Sequence, residues 1–169
     1  TPVDRVRCIT NVFTGRTGGR VAVEAHRRGH AVTLLTSHPD AVAGPPPSDR
    51  WRVVPYRTYD DLAALMAEHV PGNRFDALIH SAAVSDYAVA GVFAGGPGSL
   101  TDVAAGKVKS THAELWLKLV PTAKLVDRVR TEWGFRGVLV KFKLEVGLTD
   151  DELIEVAERS RVQSAADVM

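Results

Sequence analysis

Arg7, Asn11, Thr14, Gly15 and Gly18 share one short stretch, V-R-C-I-T-N-V-F-T-G-R-T-G, at residues 6–18. A short apolar run, as strand or loop, leads to Asn11, and a helical pattern starts beyond the glycines. A glycine-rich turn at a helix start is a place for phosphate. The first helical N–H groups have no partner in the helix, and the helix dipole leaves partial positive charge there. With a guanidinium and an amide just ahead of it, such a cradle suggests chemistry and not only binding. Two other readings fit the same residues. T-G-R-T-G-G looks like a dinucleotide fingerprint of a nicotinamide-dependent reductase, but a lone fingerprint is weak. The next strand, A-V-T-L-L-T, is followed by Ser37-His38 instead of the acid that holds a ribose. No Tyr-x-x-x-Lys follows Tyr87. A tight turn with close helix packing explains the glycines without any ligand.

Three further polar segments follow apolar runs. S-A-A-V-S-D-Y brings small residues and Asp86 after Ile79. Small residues let a ligand approach the backbone, and the carboxylate can hold a ribose, an amine or a metal-bound water; capping a turn is its ordinary alternative. K-V-K-S carries Lys107 and Lys109 in a weakly patterned region. Two lysines on a loop can close over an anion and stabilise developing charge, or simply be solvated surface. K-L-E follows Phe142, which is core if its strand is buried throughout and a base-stacking surface if it ends the strand. The six histidines show no metal-ligand spacing, and no Ser/His/Asp set is legible.

The elements that must position these residues follow from periodicity and punctuation. Residues 16–29 predict a helix with Val21, Ala22, Val23 and Ala25 on its apolar face, stopped by Gly29. Residues 31–36, 51–56, 75–80 and 137–142 predict strands. Prolines at 39 and 45–47 mark a loop. Residues 60–69 predict a helix ended by Pro71-Gly72. Residues 88–106, rich in Gly, Ala and Ser, predict a long loop, taken with its flanks as a flap over 88–112. Residues 113–119 alternate like a strand. Pro121 suits the first turn of a helix to about Trp133. Thr149 with Glu152 has capping-box spacing for a helix to about Ser164, and 166–169 opens a last strand. Alternating strands and helices predict an α/β fold with a mostly parallel sheet and helices on both faces. Ligands in such folds sit beyond the carboxyl ends of the strands.

The chain has 169 residues, 45% hydrophobic and 24% charged, with a net charge of +1. That is ordinary globular composition, without the basic field of a nucleic-acid binder or the acidic excess of a disordered chain. No apolar run reaches the roughly 20 residues of a membrane span, and no signal peptide is visible. The single cysteine, Cys8, cannot form an internal disulfide, which fits a reducing cytoplasm. One domain over 1–169, incomplete at both ends, is expected, since the chain starts without Met and stops inside an apolar run.

Taken together, the segments resemble phosphopantothenoylcysteine synthetase, the ligase of coenzyme A biosynthesis. The resemblance runs from P-V-D-R-V-R-C-I-T-N-V-F-T-G-R-T-G through D-A-L-I-H-S-A-A-V-S-D-Y, G-K-V-K-S-T, L-K-L-V-P-T-A-K-L-V and V-K-F-K-L-E to A-E-R-S-R-V-Q-S-A-A-D-V-M. Several ordered segments at the right spacing are more specific than any one of them. The S-D-Y, K-V-K-S-T and F-K-L-E wording looks most like the stand-alone bacterial enzymes. The resemblance implies a Rossmann-like three-layer fold, a homodimer and a reaction in two steps. With Mg²⁺, CTP (ATP is possible) activates the carboxylate of 4′-phosphopantothenate as an acyl-nucleotidylate. The amine of cysteine then attacks the acyl carbon and releases CMP.

By the same resemblance, Asn11 holds the acyl-nucleotidylate near its carbonyl, Arg7 supports that step, and Lys107 stabilises charge. Ala82, Ala83, Val84 and Asp86 hold the nucleotide. Pro121, Thr122, Ala123 and Lys124, at a helix start, bind its phosphates, and Phe142 meets the base. The loop serves as a flap. No flavin site is expected, although the label flavoprotein attaches to the family through the fused decarboxylase. The chain departs from the family at Phe13, where Ser is frequent, and at Thr122, where many members carry Asp. Ser160 and Ser164 stand where fused members carry lysines facing the triphosphate, with Arg159 and Arg161 beside them. The family's upstream strand and T-x-G-G-T segment are not in this sequence. These departures bear on nucleotide choice and leave a non-catalytic nucleotide-binding relative as the alternative.

Overall fold

Thr58 and Thr149 start two helices by the same device. Each threonine hydroxyl accepts from the N–H three residues on, and the acid there, Asp61 or Glu152, returns a bond to the cap's own N–H. Two otherwise orphaned donors are thereby satisfied at each helix start. The computed structural model describes residues 1–72, 74–96 and 98–169. In chain order the elements are α1 (Arg16–Arg27), β1 (Val32–Thr36), β2 (Trp51–Pro55), α2 (Tyr59–His69), β3 (Ala77–His80), β4 (Tyr87–Gly96), β5 (Ser99–Asp102), β6 (Leu115–Pro121), α3 (Leu125–Thr131), β7 (Val138–Lys141) and α4 (Asp150–Gln163). A 3₁₀ turn, Pro39–Ala41, lies between β1 and β2.

The chain divides into two units. The larger comprises Phe13–Ala82 and Lys124–Met169. Its strands pair in parallel, β1 with β2 and β3 with β7. Parallel neighbours need a crossover between them; between β1 and β2 it is residues 37–50 with their 3₁₀ turn, and between β3 and β7 the chain runs through β4, β5, β6 and α3. Its buried residues include Trp51, Leu62, Met66, Leu125, Val129, Phe135 and Leu139. The smaller unit, Thr1–Val12 and Ala83–Ala123, holds an antiparallel sheet in the order β5-β4-β6. Among the described residues, Val92 and Val108 are its buried apolar side chains.

Three expectations change. The region read as loop and flap, 88–112, holds strands β4 and β5 over residues 87–96 and 99–102; Pro97 lies outside the described residues. Y-A-V-A-G-V-F-A-G-G is poor in β-branched residues, and β4 is a strand because it is the central one, paired on both sides. Pro121 ends β6 opposite Tyr87 and does not open a helix. A residue before proline is pushed toward extended backbone, and an edge strand tolerates the missing N–H. The helix begins at Leu125, with Lys124 as its cap. Residues 166–169 make a single bridge, Val140 to Val168, and no full strand.

Candidate functional site

In the smaller unit three of the singled-out motifs meet. The Asn11 side-chain amide donates to the Ala83 carbonyl at 2.7 Å. The Thr1 hydroxyl donates to the Tyr87 carbonyl at 2.8 Å and lies 3.1 Å from the Ser85 hydroxyl. Thr122 donates from its hydroxyl to the Ser85 carbonyl (2.6 Å) and from its N–H to the Asp86 carbonyl (2.9 Å). Residues 1–11, 83–87 and 121–122 therefore form one hydrogen-bonded cluster. The carbonyls of Ala83, Ser85 and Asp86 are acceptors in it, so this stretch of backbone is held without any regular element.

Arg7 is engaged rather than free. Its Nε and Nη2 donate to Asp4 Oδ2 at 3.0 and 2.6 Å, and Nη2 also reaches the Val108 carbonyl at 2.5 Å. The Asp4 side chain is covered from solvent. The Arg7 guanidinium, then the Val108 and Val6 N–H groups, hold its carboxyl well below the usual carboxylate range. Val108 is buried, and the two lysines on either side of it, Lys107 and Lys109, are exposed. Sequence reasoning missed Asp4. Its place three residues before Arg7 was visible, but its bond to Val108 spans 104 residues.

In the larger unit Gly15 caps α1 with φ 72°, a left-handed conformation that favours glycine. No side chain caps this helix, and its first turn carries no acid. A Cβ at Gly15 would lie 3.6 Å from Thr36 Oγ1, and one at Gly18 would lie 2.6 Å from Ser81 Oγ. The Thr14-Gly15-Gly18 turn therefore packs against the carboxyl ends of β1 and β3. Ala82 follows directly after Ser81. Phe142, just past β7, is 51% exposed, so the core reading of it is set aside.

His80 and Lys141 are register partners at the ends of β3 and β7. Burial, and then the Lys141 ammonium, push the His80 pKa down to about 4. Lys141 is itself buried and donates to the Ser160 carbonyl, Ser160 Oγ (2.9 Å) and Ser164 Oγ (2.6 Å). Ser164 in turn donates to Asp127 at 2.7 Å. The two serines noted in the last helix are thus partners of a lysine from β7. A lysine inside the apolar run V-L-V-K-F was the signal that the sequence reading passed over.

The predicted site residues fall in both units. Arg7, Asn11, Ala83, Val84, Asp86, Lys107, Pro121, Thr122 and Ala123 belong to the smaller one. Thr14, Gly15, Gly18, Ala82, Lys124 and Phe142 belong to the larger. The chain passes between units at residues 12–13, 82–83 and 123–124, each time inside one of the motifs.

Parallel strand pairs among α-helices, with a glycine turn beyond the strand ends, place the chain among the Rossmann-like α/β proteins. It belongs to the DNA/pantothenate metabolism flavoprotein family, whose C-terminal domain it matches over residues 1–169. It is 32% identical over 167 residues to the coenzyme A biosynthesis bifunctional protein CoaBC of Thermococcus kodakarensis. That match covers 99% of this chain and 37% of the relative, so the chain spans little more than a third of the curated relative's length. The crystal structure of the DNA/pantothenate metabolism flavoprotein from Streptococcus pneumoniae superimposes with a TM-score of 0.81 at 28% identity. That likeness covers 99% of this chain and 75% of the other.

Proposed function

We propose that this chain acts in coenzyme A biosynthesis as the ligase that joins 4′-phosphopantothenate to cysteine. The observation that carries the reading is the Asn11–Ala83 bond, which fixes the amide within a cluster of three family motifs. An amide has two N–H donors and one carbonyl; one donor is committed to Ala83, and the others serve a ligand. In the first step the phosphopantothenate carboxylate attacks the α-phosphorus of CTP and pyrophosphate leaves. In the second the cysteine amine attacks the acyl carbon, and CMP leaves with the bonding electron pair.

Asn11 holds the acyl-nucleotidylate at its carbonyl, and Lys107 offsets negative charge as it develops. Arg7 acts beside them, and the Ala83–Asp86 backbone takes the nucleotide. The uncapped start of α1 and Lys124 suit phosphates, and the exposed Phe142 ring suits a base. Among the described residues no three His, Cys, Asp or Glu side chains gather into a metal cage. Mg²⁺ is assigned to the nucleotide it arrives with, because phosphates supply most of the ligands of such an ion. No flavin is assigned, and a yellow purified protein with bound flavin would overturn that. Leu100, Leu115, Trp116 and Leu119 are exposed on the antiparallel sheet, which supports a homodimer that light scattering would detect. A cytoplasmic setting goes with these substrates.

The test is pyrophosphate release by the full chain with 4′-phosphopantothenate, Mg²⁺ and either CTP or ATP, before and after adding cysteine. Sustained turnover on adding cysteine supports the ligase, and the preferred triphosphate settles the nucleotide. A folded protein that binds CTP and releases nothing supports the non-catalytic relative. The engagement of Ser160 and Ser164 by Lys141 is the observation on that side.

A further inference from the structure

Lys107 stands on a segment fastened on both sides. The Arg5 N–H donates to the Gly106 carbonyl at 3.0 Å. The Val108 N–H donates to Asp4 Oδ2 at 3.0 Å, and the Val108 carbonyl accepts from Arg7 Nη2. The residues before and after Lys107 are therefore tied to the single turn Asp4–Arg7. Asp4 is the hub of that turn. Its Oδ1 accepts from the N–H groups of Val6 and Arg7, at 2.9 and 2.8 Å. Its Oδ2 accepts from Val108 and from the Arg7 guanidinium. Few of these bonds serve a regular element, and a covered carboxylate at the hub ties a distant exposed lysine to the segment that leads to Asn11.

We propose that Asp4 is a positioning residue for Lys107: its carboxylate, with Arg7, fixes the backbone of residues 106–108 and so sets where the lysine ammonium stands. The proposal rests on the ligase reading for its consequence, though not for its geometry. Asn at position 4 keeps one acceptor oxygen and turns the other into a donor, facing either the Val6 and Arg7 N–H groups or the Val108 N–H and the guanidinium. One side of the hub must open in either orientation.

The experiment has two arms on the full chain. In the first, amide exchange at Val108 is read by NMR in wild type and Asp4→Asn. Exchange roughly tenfold or more faster is expected, as for a locally opened segment. Unchanged protection overturns the clamp whatever the enzyme does. In the second, pyrophosphate release is measured for Asp4→Asn, Lys107→Gln and the double variant. Asp4→Asn is expected to lower kcat roughly tenfold alone and less than about twofold when Lys107 is already Gln. An equal loss in both backgrounds overturns the positioning role, since a merely structural defect acts the same with or without the lysine.

Asp4→Glu, which keeps the charge and displaces it by one methylene, serves where the Asn variant does not fold, and the same two-background pattern is expected of it. A wild type that releases no pyrophosphate overturns the ligase reading and Asp4's part in it. Faster Val108 exchange in that case still upholds the clamp.

Discussion

At the scale of single residues, the geometry of the candidate groups was legible where their partners are near in sequence or their spacing is local. Gly15 needed only a glycine turn before a helical run, and its left-handed φ shows that turn, while Gly18 lies in the first turn of α1. Asp4 and Lys141 were not legible, because what gives them meaning lies 104 and 23 residues away. Two substitutions separate chemistry from structure. Asn11→Asp loses the donor to Ala83 and sets a carboxylate against that carbonyl. The expected outcome is slower conversion of the acyl-nucleotidylate to product, with its formation less affected. Rapid-quench measurement of the two steps checks this, and equal loss in both would refute the assigned role. Lys107→Gln is expected to impair turnover and leave stability within about 0.5 kcal/mol of wild type, as exposed substitutions do. A large fall in melting temperature would make Lys107 structural.

At the scale of elements, legibility followed the strength of the local signal. The helix after Thr149 was readable from its cap alone, and Asp150–Gln163 follows the reading within a residue. Removing that cap with Thr149→Ala is expected to cost about 1 kcal/mol, measured by urea unfolding. No measurable change would mean that α4 is held by its packing alone. The strand Tyr87–Gly96 was unreadable for the opposite reason. Its small residues carry almost no strand preference, and its conformation comes from β5 and β6 on either side, which no local window contains. The proline at 121 misled because a helix start and an edge-strand end both tolerate a residue without an N–H. Only its partner, Tyr87, decides between them.

At the scale of the whole molecule, stability carries the mark of the ends of β3 and β7. His80 keeps a pKa of about 4 in the folded protein, against about 6.5 in an unfolded chain. Above pH 6.5 the imidazole is neutral in both states and contributes nothing to the pH dependence. As pH falls from 6.5 toward 4, the unfolded chain takes up a proton that the folded one refuses, so the unfolded state binds more protons and stability drops. The loss approaches about 3 kcal/mol near pH 4, at roughly 1.4 kcal/mol per pKa unit. Asp4 acts in the same direction over a lower window. Its carboxyl is held below its ordinary value, so its stabilisation is complete above that value and fades as pH falls further below about 4. The two windows can be separated. His80→Gln is expected to flatten the stability curve between pH 6.5 and 4 and to leave the fall below pH 4 in place. Urea unfolding at half-unit steps of pH, wild type against variant, makes the comparison. A variant curve parallel to wild type across the upper window would mean that His80 titrates normally in the folded protein, and that neither burial nor the Lys141 ammonium holds its pKa down.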